Sequence, residues 1–292
     1  MCKDRGRRNR YSLLVHSARV YCMQPNATST APSNRRMIHD LWDRLSDFTP
    51  CQADAALVHL FESLGPAVQA DQIVWVAAVR IVDGSRAGFD AGHGWRAHAA
   101  EEWRAPLASG SHGPAARSRR SNDRENCADL ITASIARDSG RFRLQGLHDR
   151  RRGASQPAAA NARDGRAQVA DRLWVVFPLN ADTESYFVLD KTTDGARFST
   201  SDAALAAYAL RGIKWFHRQL LLGHGLVATE RPLTLTERRV VRLLLTDRTE
   251  KEIAQALGLG FDTVHKHVGE IYRKFAVRGR TGLMALWLGG RV

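Results

Sequence analysis

Polar and basic side chains recur near the carboxyl end at the spacing of an α-helix. We predict a helix from Phe261 to about Phe275, whose buried face carries Val264, Val268 and Ile271. The residues that point away from this apolar face are His265, Lys266, Gly269, Glu270 and Arg273. Lysine donates to guanine O6 and N7, histidine donates to a purine N7 or to phosphate, and glutamate accepts from cytosine N4. This exposed face is therefore suited to contact base edges in a DNA groove.

A second set of side chains is suited to phosphate oxygens, which fix the position of a protein on DNA but not its sequence preference. These candidates are Thr263, Arg273 and Lys274 on the same helix, with Lys251 and Arg280 on neighbouring segments.

Neighbouring helices must position the helix that starts at Phe261. Two T-x-x-E capping boxes each predict a helix start: Thr234 with Glu237, and Thr249 with Glu252. Ala254 is small enough for a close helix crossing, Gly258 can adopt the positive φ of a tight turn, and Val264 plugs the next helix onto the other two. This spacing predicts a helix-turn-helix whose second member lies in a major groove. A further helix is predicted through Leu283–Leu288.

The segment from Leu233 to Thr281 resembles the LuxR-type (GerE-like) DNA-binding domain of bacterial transcriptional regulators. The matching features are Leu233-Thr234, Glu237, Lys251-Glu252-Ile253-Ala254, Thr263-Val264, His267-Val268, Lys274, Val277 and Arg280-Thr281. The chain departs from the family pattern at Leu235, Glu250 and Gly260, where proline, asparagine and a small polar N-cap are frequent. His265 and Gly269 stand at two groove-facing positions that are often basic or polar in the family.

The charge distribution agrees with a phosphate-binding end. The chain has 292 residues and a net charge of +13, of which residues 1–36 carry +7, residues 37–231 carry +1 and residues 232–292 carry +5. The apolar runs are too short to span a bilayer. The four cysteines lie far apart without a CxxC pair, which excludes a disulfide scaffold and favours reduced thiols in a cytoplasmic protein.

The middle of the chain predicts an α+β domain. Residues 37–72 have helical periodicity, and strands are predicted over Ile73–Val82, Leu173–Leu179 and Tyr186–Leu189. Residues 105–126 and 148–168 are predicted loops with a short helix, Ala128–Ala136, between them, and one long helix is predicted over Ala203–Leu222.

This order of elements, together with Arg197-Phe198-Ser199 and Asp202 before the last helix, resembles the GAF and PAS-like sensory domains. The resemblance implies an antiparallel sheet with helices on one face, and a second face that can hold a small molecule or a partner.

We therefore predict four regions: a basic disordered tail over 1–36, a GAF/PAS-like sensory domain over 37–222, a linker over 223–232, and a four-helix LuxR-type helix-turn-helix domain over 233–292. The predicted function is sequence-specific transcriptional regulation, with the N-terminal domain sensing a small molecule or mediating dimerisation. The implied partners are double-stranded DNA, a second copy of the chain, an unidentified small-molecule effector and RNA polymerase, with no membrane. Symmetric half-sites about 10 bp apart would follow from a homodimer.

Other functions are compatible with parts of the sequence. An acyl-homoserine-lactone-responsive quorum-sensing regulator would share this architecture, although its Trp/Tyr/Asp ligand set is not placed here. A sigma-like initiation factor would need a helical polymerase-binding region, which the strand-rich residues 170–190 disfavour. An enzyme with an accessory helix-turn-helix would need a catalytic constellation, and the sequence shows none. No metal site or cofactor is predicted, because His265 and His267 point to different sides of a helix and His93 and His98 lack ligand spacing.

Overall fold

The computed structural model describes residues 32–80, 95–105, 119–120, 140–146, 169–192, 196–227 and 232–290. Most of the predicted basic tail, most of the two predicted loops and the predicted helix Ala128–Ala136 lie outside the described residues.

Two helices begin the described chain. Helix α1 spans Pro32–Ser46 and helix α2 spans Ala53–Ala67, with a 3₁₀ turn, Pro50–Gln52, between them. Their apolar residues, such as Ile38 and Leu60, are fully buried, as the helical periodicity predicted. Helix α1 begins inside the segment predicted to be unstructured, because Pro32 is accommodated in a first helical turn, where its missing N–H is not needed.

The described strands form one antiparallel sheet in the order β3-β2-β1-β6-β5-β4. Their bounds are β1 Gln72–Arg80, β2 Trp95–Arg104, β3 Arg119–Arg120, β4 Arg143–Gly146, β5 Asp171–Pro178 and β6 Thr183–Lys191. The sequence predicted β1, β5 and β6 but not β2, which is rich in alanine and glutamate, residues of low strand propensity. Strand β2 forms because it pairs with the whole length of β1, from Gln72 opposite Arg104 to Arg80 opposite Trp95.

Both faces of the sheet are buried. One face places Trp75, Val175 and Phe187 in a large core with the helices of the N-terminal domain. The other face places Val76, Trp174 and further apolar residues in a second core: Val74, Ala78, Trp95, Ala97, Ala100, Val176, Tyr186 and Val188. Residues alternate between the two faces along each strand, as a pleated sheet requires. The predicted α+β domain with an antiparallel sheet is confirmed.

The second face also carries a buried polar network. Two Nη atoms of Arg143 donate to the two carboxylate oxygens of Glu184 at 2.9 and 2.7 Å, and the Tyr186 hydroxyl donates to Glu184 at 2.7 Å. A second paired arginine, Arg172, donates to both oxygens of Asp190 at 2.5 and 2.6 Å. Burial raises the pKa of Tyr186 well above its ordinary value, and the Glu184 charge adds to this, so its phenol stays protonated as a donor.

The long helix predicted over Ala203–Leu222 is wrong in one respect, because it is two helices. Helix α3 spans Thr200–Arg211 and helix α4 spans Lys214–Gly223. Helix α3 ends at Gly212, where the Trp42 ring packs so closely that a Cβ added to this glycine would lie 2.1 Å from the ring. The predicted cap is present, since Ser199 and Asp202 form a reciprocal capping box at the start of α3.

Four helices form the C-terminal unit, with bounds close to those predicted. They are α5 Leu235–Leu244, α6 Glu250–Leu257, α7 Phe261–Lys274 and α8 Arg280–Trp287. Their inner faces share one core, which includes Val240, Ile253, Val264 and Phe275. The predicted all-α four-helix domain is confirmed.

The two domains contact each other through shared apolar and polar residues. Leu222 of α4 belongs to the core of the C-terminal unit, and the partly buried Val227 packs against both cores. Nη2 of Arg238 donates to Nε2 of His224 at 2.8 Å and lies 3.9 Å from the Glu101 carboxylate. These contacts fix the first helix of the C-terminal unit against the sheet domain.

Two further arginines bridge the same domains. Arg242 of α5 donates to Asp54 of α2 at 2.5 Å. Arg218 of α4 donates to the main-chain oxygens of Leu286 and Gly290 at 3.2 and 2.9 Å. The bridges involve the first and the last helix of the C-terminal unit, so its middle helices α6 and α7 take no part in them.

A histidine is fully buried where α4 packs on the sheet. His217 Nε2 donates to the Leu210 carbonyl at 2.8 Å, so its Nδ1 accepts from the Ser185 hydroxyl, also at 2.8 Å. The Ser185 oxygen in turn accepts from the Trp75 indole N–H at 2.9 Å. Burial lowers the pKa of His217 to about 4, and this chain of bonds satisfies its neutral form.

This histidine should make the N-terminal domain acid-sensitive. Unfolded histidine has a pKa near 6.5, so the unfolded state binds a proton at pH 5 that the folded state does not. Between pH 7 and pH 5 this difference should lower the free energy of unfolding by about 2 kcal/mol. Urea denaturation of the wild type and of His217→Gln at both pH values should show a loss about 2 kcal/mol larger in the wild type than in the variant. An equal pH dependence in the two proteins would contradict this prediction.

Candidate nucleic-acid interface

The two capping boxes predicted from the sequence are formed. The Glu237 carboxylate accepts from the Thr234 amide at 2.6 Å, and the Glu252 carboxylate accepts from the Thr249 amide at 2.7 Å. In return the threonine hydroxyls accept from the amides of Glu237 and Glu252, each at 3.3 Å. Each pair satisfies main-chain donors that the first helical turn leaves open, so α5 and α6 start at fixed residues.

The turn between α6 and α7 has the predicted geometry. Gly258 adopts a φ of 65°, in the left-handed region that glycine enters without strain. The Leu259 amide then donates to the Ala254 carbonyl at 2.9 Å, which closes the turn. Ala254 and Val264 are both buried, so α7 packs directly on α6. This arrangement sets the angle between α6 and α7.

Helix α7 presents one solvent-exposed face. The predicted residues on this face are all exposed: Thr263, His265, Lys266, Gly269, Glu270 and Arg273. Lys251, at the start of α6, is exposed too. The structure therefore brings seven of the nine predicted site residues to the surface of adjoining helices, and their contacts with DNA stay a prediction.

Two ion pairs organise part of this face. Nδ1 of His265 donates to the Glu250 carboxylate at 2.9 Å, which links α7 to the first residue of α6. Arg273 donates to Glu270 one turn earlier on α7, and this hydrogen bond lowers the pKa of Glu270. Glu270 is thus an ionised acceptor that is shared with an arginine.

Two of the predicted phosphate ligands, Lys274 and Arg280, make contacts inside the domain. Nζ of Lys274 lies 2.6 Å from the Glu237 carboxylate and 3.2 Å from the Pro232 carbonyl, and its side chain is only 11% exposed. Burial raises the pKa of Glu237, but the bonds from Lys274 and Thr234 outweigh it and lower that pKa overall. Lys274 therefore anchors the end of α7 to the start of α5 and is directed away from the exposed face.

Arg280 braces the turn that follows α5. Its guanidinium donates to the carbonyls of Leu244, Arg248 and Thr246, with distances of 2.8 and 2.6 Å for the first two. These carbonyls lie at and beyond the end of α5, where intrahelical partners run out. These three bonds use part of the planar fork of five N–H donors of Arg280, and its phosphate contact stays a prediction.

Two residues on the exposed face were not predicted as site residues. Glu250 orients the His265 ring, and Phe261, the first residue of α7, has 52% of its surface exposed. The rings of Phe261 and His265 stack with a centroid distance of 6.0 Å and an interplanar angle of 15°. The i, i+4 spacing of this pair was a usable signal in the sequence, but an aromatic residue at a helix start is normally assigned to the core.

These features define the C-terminal unit as a helix-turn-helix domain of the DNA-binding class. Residues 231–287 match the family model described as bacterial regulatory proteins, luxR family. The C-terminal unit therefore belongs to the LuxR family of DNA-binding domains, as the sequence resemblance implied.

Comparison with known proteins shows that the chain is similar to a curated protein and to solved structures. The spore germination protein GerE of Bacillus subtilis (strain 168) is 43% identical over 49 residues, which cover 17% of this chain and 66% of GerE. The chain thus spans just under two thirds of the length of this relative. A structure of SdiA in complex with octanoyl-rac-glycerol is 14% identical with a TM-score of 0.41, over 89% of this chain and 96% of that one. A crystal structure of Escherichia coli SdiA is 13% identical with a TM-score of 0.40, over 86% and 96% of the two chains.

The internal role of Arg280 predicts a loss of stability when it is replaced. Arg280→Gln removes charge-assisted bonds to three carbonyls and should lower the free energy of unfolding by about 2–3 kcal/mol. Guanidinium denaturation followed by circular dichroism measures this change. The matched control is Arg278→Gln at the exposed Arg278, which should leave the stability of the protein unchanged. Unchanged stability of Arg280→Gln, with a weaker salt dependence of DNA binding, would contradict the internal role and support the phosphate contact.

Proposed function

We propose that this chain is a transcriptional regulator that binds a specific DNA sequence as a homodimer. The exposed face of α7 in a LuxR-family domain is the observation that carries this proposal. Its N-terminal residues can reach base edges when α7 enters a major groove, and Lys251 at the start of α6 is exposed to contact phosphate. The matched family consists of regulatory proteins, not enzymes.

The position of the domain interface supports DNA binding by the full chain. The interdomain bridges use α5 and α8, whereas His265, Lys266 and Arg273 on α7 remain exposed. A duplex can therefore reach α7 without first separating the two domains. DNA binding and contact with the N-terminal domain occupy different sides of the same small unit.

The N-terminal domain is proposed to sense a small molecule or to support dimerisation. The second face of its sheet combines the apolar rings of Trp95 and Trp174 with the polar group of Arg143, Glu184 and Tyr186. Binding sites for small molecules combine apolar walls with a few fixed polar groups in this way. The interdomain contacts of His224 and Arg238 give a physical connection from this sheet to the DNA-binding unit.

Helix α8 is the proposed site of self-association. Leu288, just after this helix, is 89% exposed and Met284 is 39% exposed, so apolar surface is presented to solvent at the end of the domain. Pairing of two copies through this surface would bury it and place two α7 helices on the two half-sites of a symmetric duplex.

None of the helices within the described ranges is long and apolar enough to cross a membrane. A cytoplasmic location, where the chain can meet both DNA and RNA polymerase, is part of the proposal.

The base-reading role of Lys266 can be tested with the full chain. Its target would first be selected from random duplexes. Lys266→Ala should then weaken binding to the selected duplex by about 1–3 kcal/mol at fixed salt, because a bidentate contact to guanine is lost. Fluorescence anisotropy measures the affinity. Lys214→Ala makes the same change of charge at an exposed lysine of the N-terminal domain and should bind as the wild type does. Equal affinities for the wild type and Lys266→Ala would remove Lys266 from the base-reading set.

The proposed dimer surface makes a separate prediction. Leu288→Glu places a charge in the surface that would be buried between two copies, so it should raise the dimer dissociation constant at least tenfold, on the order of 1.4 kcal/mol. Sedimentation velocity over a range of concentrations measures the constant. Leu235→Glu is the matched control, because Leu235 is also exposed (54%) but lies at the start of α5. If Leu235→Glu dissociates the dimer and Leu288→Glu does not, the surface has been misplaced.

A further inference from the structure

Phe261 is an exposed aromatic residue at the N-terminal end of α7. Its exposed fraction of 52% cannot be attributed to packing, because the inner face of α7 is already filled by Val264, Val268 and Ile271, which are buried. Burial of a phenylalanine side chain is strongly favourable, so an exposed one has affinity for an apolar partner.

The side chain of Phe261 shares a direction with a predicted base-reading residue. Residues four apart lie on the same face of a helix, and the near-parallel stacking of the Phe261 and His265 rings shows that both point to the exposed face. The hydrogen bond from His265 to Glu250 holds the second ring of this stack in place. Phe261 therefore stacks on a ring whose position is set by a hydrogen bond.

The next turn of the same face carries a glycine, Gly269, and so has no side chain at that position. Gly269 follows His265 by four residues, and a Cβ added there would meet no protein atom within 4 Å. Packing inside the domain therefore does not require this glycine, although glycine disfavours a helix interior. Without a side chain at Gly269, the helix can approach the floor of a groove closely along the line that starts at Phe261.

The major groove offers Phe261 one apolar group. Among the base-pair edges in that groove, the C5-methyl of thymine is the apolar one, and phenylalanine is among the side chains that contact it. Residues at the start of the recognition helix are those that reach base edges. We propose that Phe261, stacked on His265, reads the methyl group of a thymine in each half-site, an inference that rests on the DNA-binding function proposed above.

Replacement of thymine by deoxyuridine provides a direct test, because it removes the methyl group and keeps every hydrogen bond of the base pair. In a duplex selected with the wild-type chain, each thymine would be replaced in turn, symmetrically in both half-sites. The wild type should lose affinity about fourfold for each methyl group that Phe261 contacts, so about 16-fold for the symmetric pair. Fluorescence anisotropy with the full chain at fixed salt measures these ratios.

Phe261→Ala and the replacement of thymine by deoxyuridine together form a double-mutant cycle. Phe261→Ala should bind the thymine duplex more weakly than the wild type does, and should lose nothing further when that one thymine pair is replaced. Phe261→Leu keeps an apolar contact and should retain most of the methyl discrimination. Leu235→Ala, which truncates an equally exposed apolar residue on α5, should retain all of it.

The possible outcomes separate the two levels of the proposal. If Phe261→Ala binds a selected duplex and shows the same sensitivity to deoxyuridine as the wild type, the methyl contact is wrong while DNA binding stands. The same holds if Phe261→Ala and the wild type bind every duplex equally well, in which case Phe261 faces a protein partner. If the wild-type chain selects no duplex at all, the proposed function itself fails.

Discussion

The angle between α6 and α7 is the constraint on which the DNA-binding surface depends. It is set within a few residues, because Gly258 turns the chain in a left-handed conformation and the small Ala254 lets Val264 of the next helix come close. A larger side chain at the crossing would tilt α7 and move every exposed residue on it relative to a groove. The capping boxes at Thr234 and Thr249 serve the same end, since they fix where α5 and α6 begin.

Two sets of basic side chains stabilise the C-terminal unit. One set makes contacts within the unit, and the other makes contacts with the N-terminal domain. Within the domain, Arg280 donates to main-chain carbonyls and Lys274 donates to the Glu237 carboxylate, and these bonds stabilise the turns. Between domains, Arg218 ties α4 to the end of the last helix of the DNA-binding unit, and Arg242 ties the first helix of that unit to α2. The net positive charge of the carboxyl end is therefore only partly available to a nucleic acid. Lys251, Lys266 and Arg273 on α6 and α7 are exposed, and so are basic residues on other segments of the unit: Arg239, Arg248 and Arg278.

Sequence patterns predicted the C-terminal unit well because its local signals agree with one another. The T-x-x-E boxes, the glycine turn and the 3.6-residue apolar period each specify the same four helices, so few alternatives remain. The roles of Lys274 and Arg280 were not predictable in this way. Whether a basic side chain meets a phosphate or a carbonyl depends on residues that lie 32 to 42 positions away in the chain, such as Arg248 and Pro232.

The N-terminal domain was less predictable for a related reason. Strand β2 has the composition of a helix or a loop, and only its long-range pairing with β1 makes it a strand. The break between α3 and α4 likewise depends on Trp42, which is far from Gly212 in sequence and packs where a Cβ would stand. Local propensity favoured one continuous helix, and tertiary packing ended it.

The burial of Leu222 in the C-terminal core has a consequence for the modularity of the protein. In the last turn of α4, Leu220 and Leu221 pack in the N-terminal core whereas Leu222 packs in the C-terminal core, so no single cut point respects both cores. A chimera joined at residues 223–232 would lack the Leu222 side chain of this protein in the core of its C-terminal unit. A chimera joined before Leu220 would retain that side chain. The two domains therefore share the last turn of α4, and an exchange of the C-terminal unit between regulators must include this turn.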